Sequence, residues 1–184
     1  FVDYEDRETC ILFGDGAGAA VISAQGGGFE ITSVSIGCDG SGSDLVKLPA
    51  GASREPFSLQ ALDKRRQYIK MNGKAIFKKA VRCMEAAARE CLVQANMTQD
   101  DISWLIPHQA NIRIIEAVAN RFDLSMEKVY QTLHKYGNTS ASSVVIALEE
   151  LVKEKDIANG ENLLLVAFGG GLTWGASLLK RVAG

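Results

Sequence analysis

The chain has 184 residues, 47% of them hydrophobic and 23% charged, with a net charge of −2. That balance suits one globular domain and excludes a disordered or fibrous chain. No global basic field invites nucleic acid or an anionic membrane, and no apolar run approaches the ~18 residues of a membrane-crossing helix.

In chain order, Cys10-Ile-Leu-Phe-Gly14 and Ala19-Ala-Val-Ile-Ser23 flank Gly14-Asp-Gly-Ala-Gly18, a pattern that predicts two strands joined by a glycine turn. Partial alternation predicts a strand over Phe29–Ile36. Residues 37–56 are rich in Gly and Ser, contain Pro49 and Pro56, and read as a long loop. A long helix is predicted from about Asn72 to Asn96, with Ile76, Ala80, Met84, Ala87, Ala88, Cys91 and Ala95 on one face. Ile102–Ile106 is a short strand ending at Pro107-His108. Residues 111–122 form a helix with Ile115, Val118, Ala119 and Phe122 on one face, and residues 140–155 form another. The unbroken Leu163–Phe168 run predicts a strand buried on both sides, followed by Gly169-Gly-Gly171 and a last strand over Thr173–Leu179. Strands alternating with helices imply an α/β fold, a sheet with parallel pairing and helices on both faces.

Phe13-Gly-Asp-Gly16 matches Phe168-Gly-Gly-Gly171 at an offset of 155 residues. This suggests a duplicated unit, with residues 1–27 as the closing hairpin of an upstream repeat and residues 28–184 as a complete second one. On that expectation roughly 130 residues of the first repeat lie before Phe1. The cysteines, Cys10, Cys38, Cys83 and Cys91, show no CxxC spacing, which suggests free thiols in a reducing, cytoplasmic compartment.

His134 precedes a glycine and reads as a surface or loop residue. His108 follows an apolar strand and precedes a helix, where open α/β sheets bind ligands; a core histidine satisfied by a carbonyl fits the position as well. Asn138 is either a helix cap or a site residue. Gly169–Gly171 is either a hairpin turn or a source of backbone N–H groups for an anion. No helix follows it, so a nucleotide cradle is rejected. No histidines or carboxylates have metal-ligand spacing.

Jointly, Pro107-His-Gln-Ala-Asn-Ile-Arg-Ile114, Tyr136-Gly-Asn-Thr-Ser-Ala141 and Ala167-Phe-Gly-Gly-Gly-Leu-Thr-Trp-Gly175 resemble the β-ketoacyl-acyl-carrier-protein synthase III family of the thiolase superfamily. Leu12-Phe-Gly-Asp-Gly-Ala-Gly-Ala19 and Met71-Asn-Gly73 extend the resemblance over nearly the whole chain. It implies a thiolase-like fold, with this chain holding the C-terminal repeat of a duplicated βαβαβαββ unit. It also implies decarboxylative Claisen condensation of an acyl-CoA primer with malonyl-acyl-carrier protein, initiating type II fatty acid synthesis. The implied catalytic residues are His108 and Asn138, with the Gly170 N–H in the oxyanion hole. The third member of that triad is a cysteine at a helix N-terminus. None of the four cysteines here occupies such a context, so the nucleophile is expected upstream of Phe1. Lys78, Arg113 and Arg121 match positions for acyl-carrier-protein docking, although each also suits a solvated helix face. Phe77 and Asn111 match the pantetheine path, with a core position for Phe77 as the competing reading. The implied partners are acyl-carrier protein, acyl-CoA, the N-terminal half with its cysteine, and a second copy in a homodimer, with no resident cofactor or metal. A related polyketide-priming enzyme and a fragment inactive in isolation are the alternatives.

Overall fold

The computed structural model describes residues 1–183. β1 (Gly28–Cys38) turns Ser33 and Ser35 inward and Ile31, Val34 and Ile36 outward. The Gly/Ser-rich segment that follows is not all loop. Residues 40–45 make a 3-10 helix, with the Asp39 carboxylate accepting from the Ser41 N–H, and β2 (Val46–Lys47) pairs antiparallel with β3 (Lys70–Met71). Between those two strands lies the single turn α1 (Leu59–Asp63), capped by Ser58.

The long helix forms as expected, as α2 (Gly73–Gln94). Asn72 Oδ1 accepts from the Ala75 N–H at 3.1 Å and starts it. Ala80, Met84, Ala87, Ala88, Cys91 and Leu92 recur at helical spacing and are buried. β4 (Trp104–Pro107) leads to α3 (Ile112–Arg121), which buries Ile114, Ile115, Val118 and Ala119. Then come the short α4 (Leu133–Tyr136), α5 (Ser142–Glu154), β5 (Asn162–Gly169) and β6 (Thr173–Val182).

The sheet runs β1-β6-β5-β4, with β4 parallel to β5 and the other pairs antiparallel. β5 therefore has a neighbour on each side. Its alternation divides the core, because successive side chains leave opposite faces. Leu164, Val166 and Phe168 join α2 and α3; Leu163 joins Ala147 and Leu151 of α5 on the other face. Leu164 and Leu178 are fully buried, each contributing about 2 kcal/mol.

Two expectations need correction. Residues 10–23 do not form a hairpin. Leu12 and Gly14 instead exchange backbone hydrogen bonds with Asn138, at 2.8 and 3.0 Å. The glycines serve close approach: a Cβ on Gly14 would lie 1.9 Å from the Tyr136 carbonyl oxygen, and one on Gly16 would lie 2.8 Å from Ile146 Cδ1. Val21 and Ile22 are 97% and 81% exposed. The third strand of a βαβαβαββ unit is also reduced to a single parallel bridge between Leu105 and Val129. Beyond it the Gln109 side chain takes the backbone groups. Its Oε1 accepts from the N–H groups of Thr132 and Leu133, and its Nε2 donates to the carbonyls of Pro107 and Tyr130.

Candidate active site

His108 extends the β4 ladder by one residue, its N–H donating to the Val166 carbonyl at 2.7 Å. This fixes the ring at the carboxyl end of two parallel strands. Nδ1 lies 2.7 Å from Ser143 Oγ in the first turn of α5, and the Gln109 N–H donates to the same oxygen at 3.2 Å. With Nδ1 engaged, Nε2 has no hydrogen-bond partner among the described residues, and the ring helps to line a cavity of about 650 Å³. Burial pushes the imidazole pKa down to about 4, so the ring is neutral at neutral pH.

Asn138 reaches the same cavity from the turn after α4. Gly137 makes that turn with φ of 67°, and a Cβ there would stand 3.0 Å from the Leu12 carbonyl oxygen. The Asn138 backbone is held by Leu12 and Gly14, and its side-chain Oδ1 accepts from the Ser140 N–H at 2.9 Å. With Oδ1 engaged, Nδ2 remains as the donor. Ion pairs brace the turn. Lys135 Nζ lies 2.7 Å from Glu150 and 3.1 Å from Glu154 on α5, and Tyr136 Oη donates to Glu150 at 2.5 Å.

Gly170, in the β5–β6 turn, lines the cavity alongside Phe13 and Phe168. Asn111 lines both the cavity and an adjoining open groove that also carries Phe77, Lys74, Lys78 and Arg113. Asn111 is at once the cap of α3, its Oδ1 accepting from the Ile114 N–H at 3.0 Å. Phe77 is half-buried: it packs against the core and also lines the groove. Arg121 lies apart from that groove. It sits at the opposite end of α3 from Arg113, about 12 Å along the axis, and pairs with Glu85 at 3.4 Å. His134 is exposed and lines neither cavity nor groove.

None of the four cysteines lines the cavity. Cys91 is buried and Cys83 half-buried, and burial pushes both thiols up, away from the thiolate. Among the described residues no group of three or more His, Cys, Asp or Glu side chains could hold a metal ion. The cavity thus gathers two neutral hydrogen-bond donors and a glycine turn, a set that stabilises negative charge on oxygen but supplies no nucleophile. Sequence reasoning missed Ser143, Ser140 and the backbone of Leu12 and Gly14. The alternation Gly14-x-Gly16-x-Gly18 was the available signal, since it removes every side chain from one side of an extended segment.

Residues 92–181 match the 3-oxoacyl-[acyl-carrier-protein (ACP)] synthase III C-terminal family, and residues 1–40 match the 3-oxoacyl-[acyl-carrier-protein (ACP)] synthase III family. The chain is 55% identical to a β-ketoacyl-[acyl-carrier-protein] synthase III of Chlamydia caviae, over 100% of this chain and 55% of that protein. The crystal structure of 3-oxoacyl-[acyl-carrier-protein] synthase III from Aquifex aeolicus superposes with a TM-score of 0.83 at 43% identity, covering 98% of this chain and 54% of that one. The priming β-ketosynthase of the R1128 polyketide biosynthetic pathway superposes with a TM-score of 0.78 at 31% identity, over 98% and 53%. The chain therefore spans about half the length of the relatives it matches.

Proposed function

The chain belongs to the 3-oxoacyl-[acyl-carrier-protein] synthase III family, and we propose that it supplies the decarboxylating part of a condensing enzyme that initiates type II fatty acid synthesis. The observation that carries this reading is the pairing of His108 and Asn138 in one cavity, each with its outer edge satisfied by the protein. A malonyl thioester placed there loses carbon dioxide. The C–C bond breaks, and its electron pair becomes an enolate with charge on the thioester oxygen. Two fixed donors lower the energy of that charge without reorganising. The enolate carbon then attacks the acyl group of an acyl-cysteine, forms the new C–C bond and expels the thiolate. The Gly170 N–H supports the oxyanion of the tetrahedral state.

The cavity of this chain offers no thiolate, so the reading places the nucleophile on polypeptide outside these residues. It keeps residues 1–27 as the close of one repeat and 28–184 as the next. It includes acyl-carrier protein docked at Lys78 and Arg113, a homodimer, and no resident cofactor, the CoA and phosphopantetheine thioesters being substrates. The likeness to a polyketide-priming synthase favours one second reading, the same chemistry with a different primer.

The test is His108→Ala and Asn138→Ala in the full-length enzyme. Each is expected to slow malonyl decarboxylation by about 100- to 1,000-fold while leaving acyl transfer to the cysteine largely intact. Decarboxylation at the parent rate in either variant overturns the assignment. The 184-residue chain alone is expected to condense nothing until the segment bearing the cysteine is added.

A further inference from the structure

Ser143 is buried, and its hydroxyl has two polar partners among the described residues, the Gln109 N–H at 3.2 Å and His108 Nδ1 at 2.7 Å. The first is a donor and occupies one lone pair of Oγ. Two arrangements of the second contact remain. If Nδ1 carried the imidazole proton, Oγ would accept twice, and its own proton would be buried without an acceptor. If Oγ donates to Nδ1, every group in the chain Gln109 N–H, Ser143 O–H, His108 Nδ1 is satisfied in one direction. A buried donor left without a partner is costly, so the second arrangement prevails.

We propose that Ser143 is a positioning residue that fixes His108 as the Nε2–H tautomer, with its single proton pointed into the cavity. The proposal rests on the reading of His108 as a donor to the enolate and supplies what that reading requires. A neutral imidazole has one N–H, and only the Nε2–H tautomer presents it where the substrate binds. The Nδ1–H tautomer would present a lone pair to developing negative charge. Ser143 thus does for the histidine what the Ser140 N–H does for Asn138: it engages the acceptor edge and leaves the donor edge free.

The experiment is nitrogen-15 NMR of the chain with labelled histidine, in which only His108 and His134 report. In the parent, Nδ1 of His108 is expected to be pyridine-like and Nε2 pyrrole-like. Ser143→Ala should shift the tautomer ratio toward Nδ1–H by about tenfold. Ser143→Cys keeps the shape with a weaker donor, guards against a variant that fails to fold, and should fall between. In the full-length enzyme, Ser143→Ala should lower kcat for malonyl decarboxylation by about tenfold with KM little changed. A pyrrole-like Nδ1 in the parent, or a tautomer ratio indifferent to Ser143, overturns the proposal. The NMR readout needs no turnover. Failure of the condensing-enzyme reading would instead show as unchanged decarboxylation in His108→Ala with the tautomer result intact.

Discussion

At the scale of single residues, His108 shows how one environment sets both chemistry and stability. Its pKa is about 4 in the folded chain against 6.5 for a free imidazole, because burial disfavours the imidazolium. Between those values the unfolded chain binds a proton that the folded chain does not, so stability falls as pH drops through that window. The full contribution is present above pH 6.5 and is lost by about pH 4. It amounts to about 3 kcal/mol, at about 1.4 kcal/mol per unit of pKa. Urea unfolding of the chain and of His108→Gln between pH 7.5 and 4 is expected to show the parent losing about 2–3 kcal/mol relative to the variant. A pH-independent difference would contradict that origin. The same residue marks the limit of sequence reading. Its place after an apolar strand is legible from Trp104-Leu-Ile-Pro107. Its hydrogen bond to Ser143, 35 residues away, is not, because Ser143 lies in a run of small polar residues that would equally suit a helix start.

At the scale of elements, the helices were legible wherever a buried face repeats at helical spacing, as along α2 and α3. The reduced third strand was not. Val129 and Tyr130 have strand-forming side chains, yet the ladder stops after Tyr130 donates its N–H to the Leu105 carbonyl, because the Gln109 side chain supplies the next partners. Local propensity cannot anticipate a side chain that replaces a strand. Gln109→Leu should therefore leave the Thr132 and Leu133 N–H groups without an acceptor and destabilise the chain by about 2–4 kcal/mol, as read from urea midpoints. A loss below about 1 kcal/mol would mean that water or a backbone shift replaces the amide. The same α4 segment carries the chain toward Asn138, so decarboxylation in the full-length enzyme should weaken alongside stability. The proposed docking is also a property of elements. Lys78 on α2 and Arg113 on α3 converge on one groove, whereas Arg121 is drawn to Glu85 at the far end. Lys78→Glu with Arg113→Glu should raise KM for malonyl-acyl-carrier protein by about tenfold at low salt and less at high salt, with acyl-CoA little affected. Arg121→Glu should leave that KM near the parent value. An Arg121 effect as large as that of the pair would return Arg121 to the docking surface.

At the scale of the whole molecule, the α/β class, the central position of β5 and the two helical layers follow from the unbroken Leu163–Phe168 run and the helices around it. What strand patterning does not reveal is how much apolar surface stays uncovered. β1 is an edge strand of its sheet, and its outward row, Ile31, Val34 and Ile36, is 48%, 50% and 83% exposed. Alternating Ser33 and Ser35 inward with Val34 and Ile36 outward inverts the usual polarity of a one-sided sheet, so a pattern of alternation alone would assign the wrong face to the core. Val21, Ile22, Phe57 and Leu59 are exposed as well. Exposed large apolar side chains on an open strand edge favour association, since both the side chains and the ladder groups seek partners. The chain is therefore expected to fold and to self-associate, with its sedimentation coefficient rising with concentration. Val34→Lys with Ile36→Lys should weaken that association by about tenfold or more while changing the unfolding free energy by less than about 1 kcal/mol, because neither side chain is part of the core. A parent chain that stays monomeric at high concentration, or an association indifferent to both lysines, would show that the β1 face is not the surface through which copies meet.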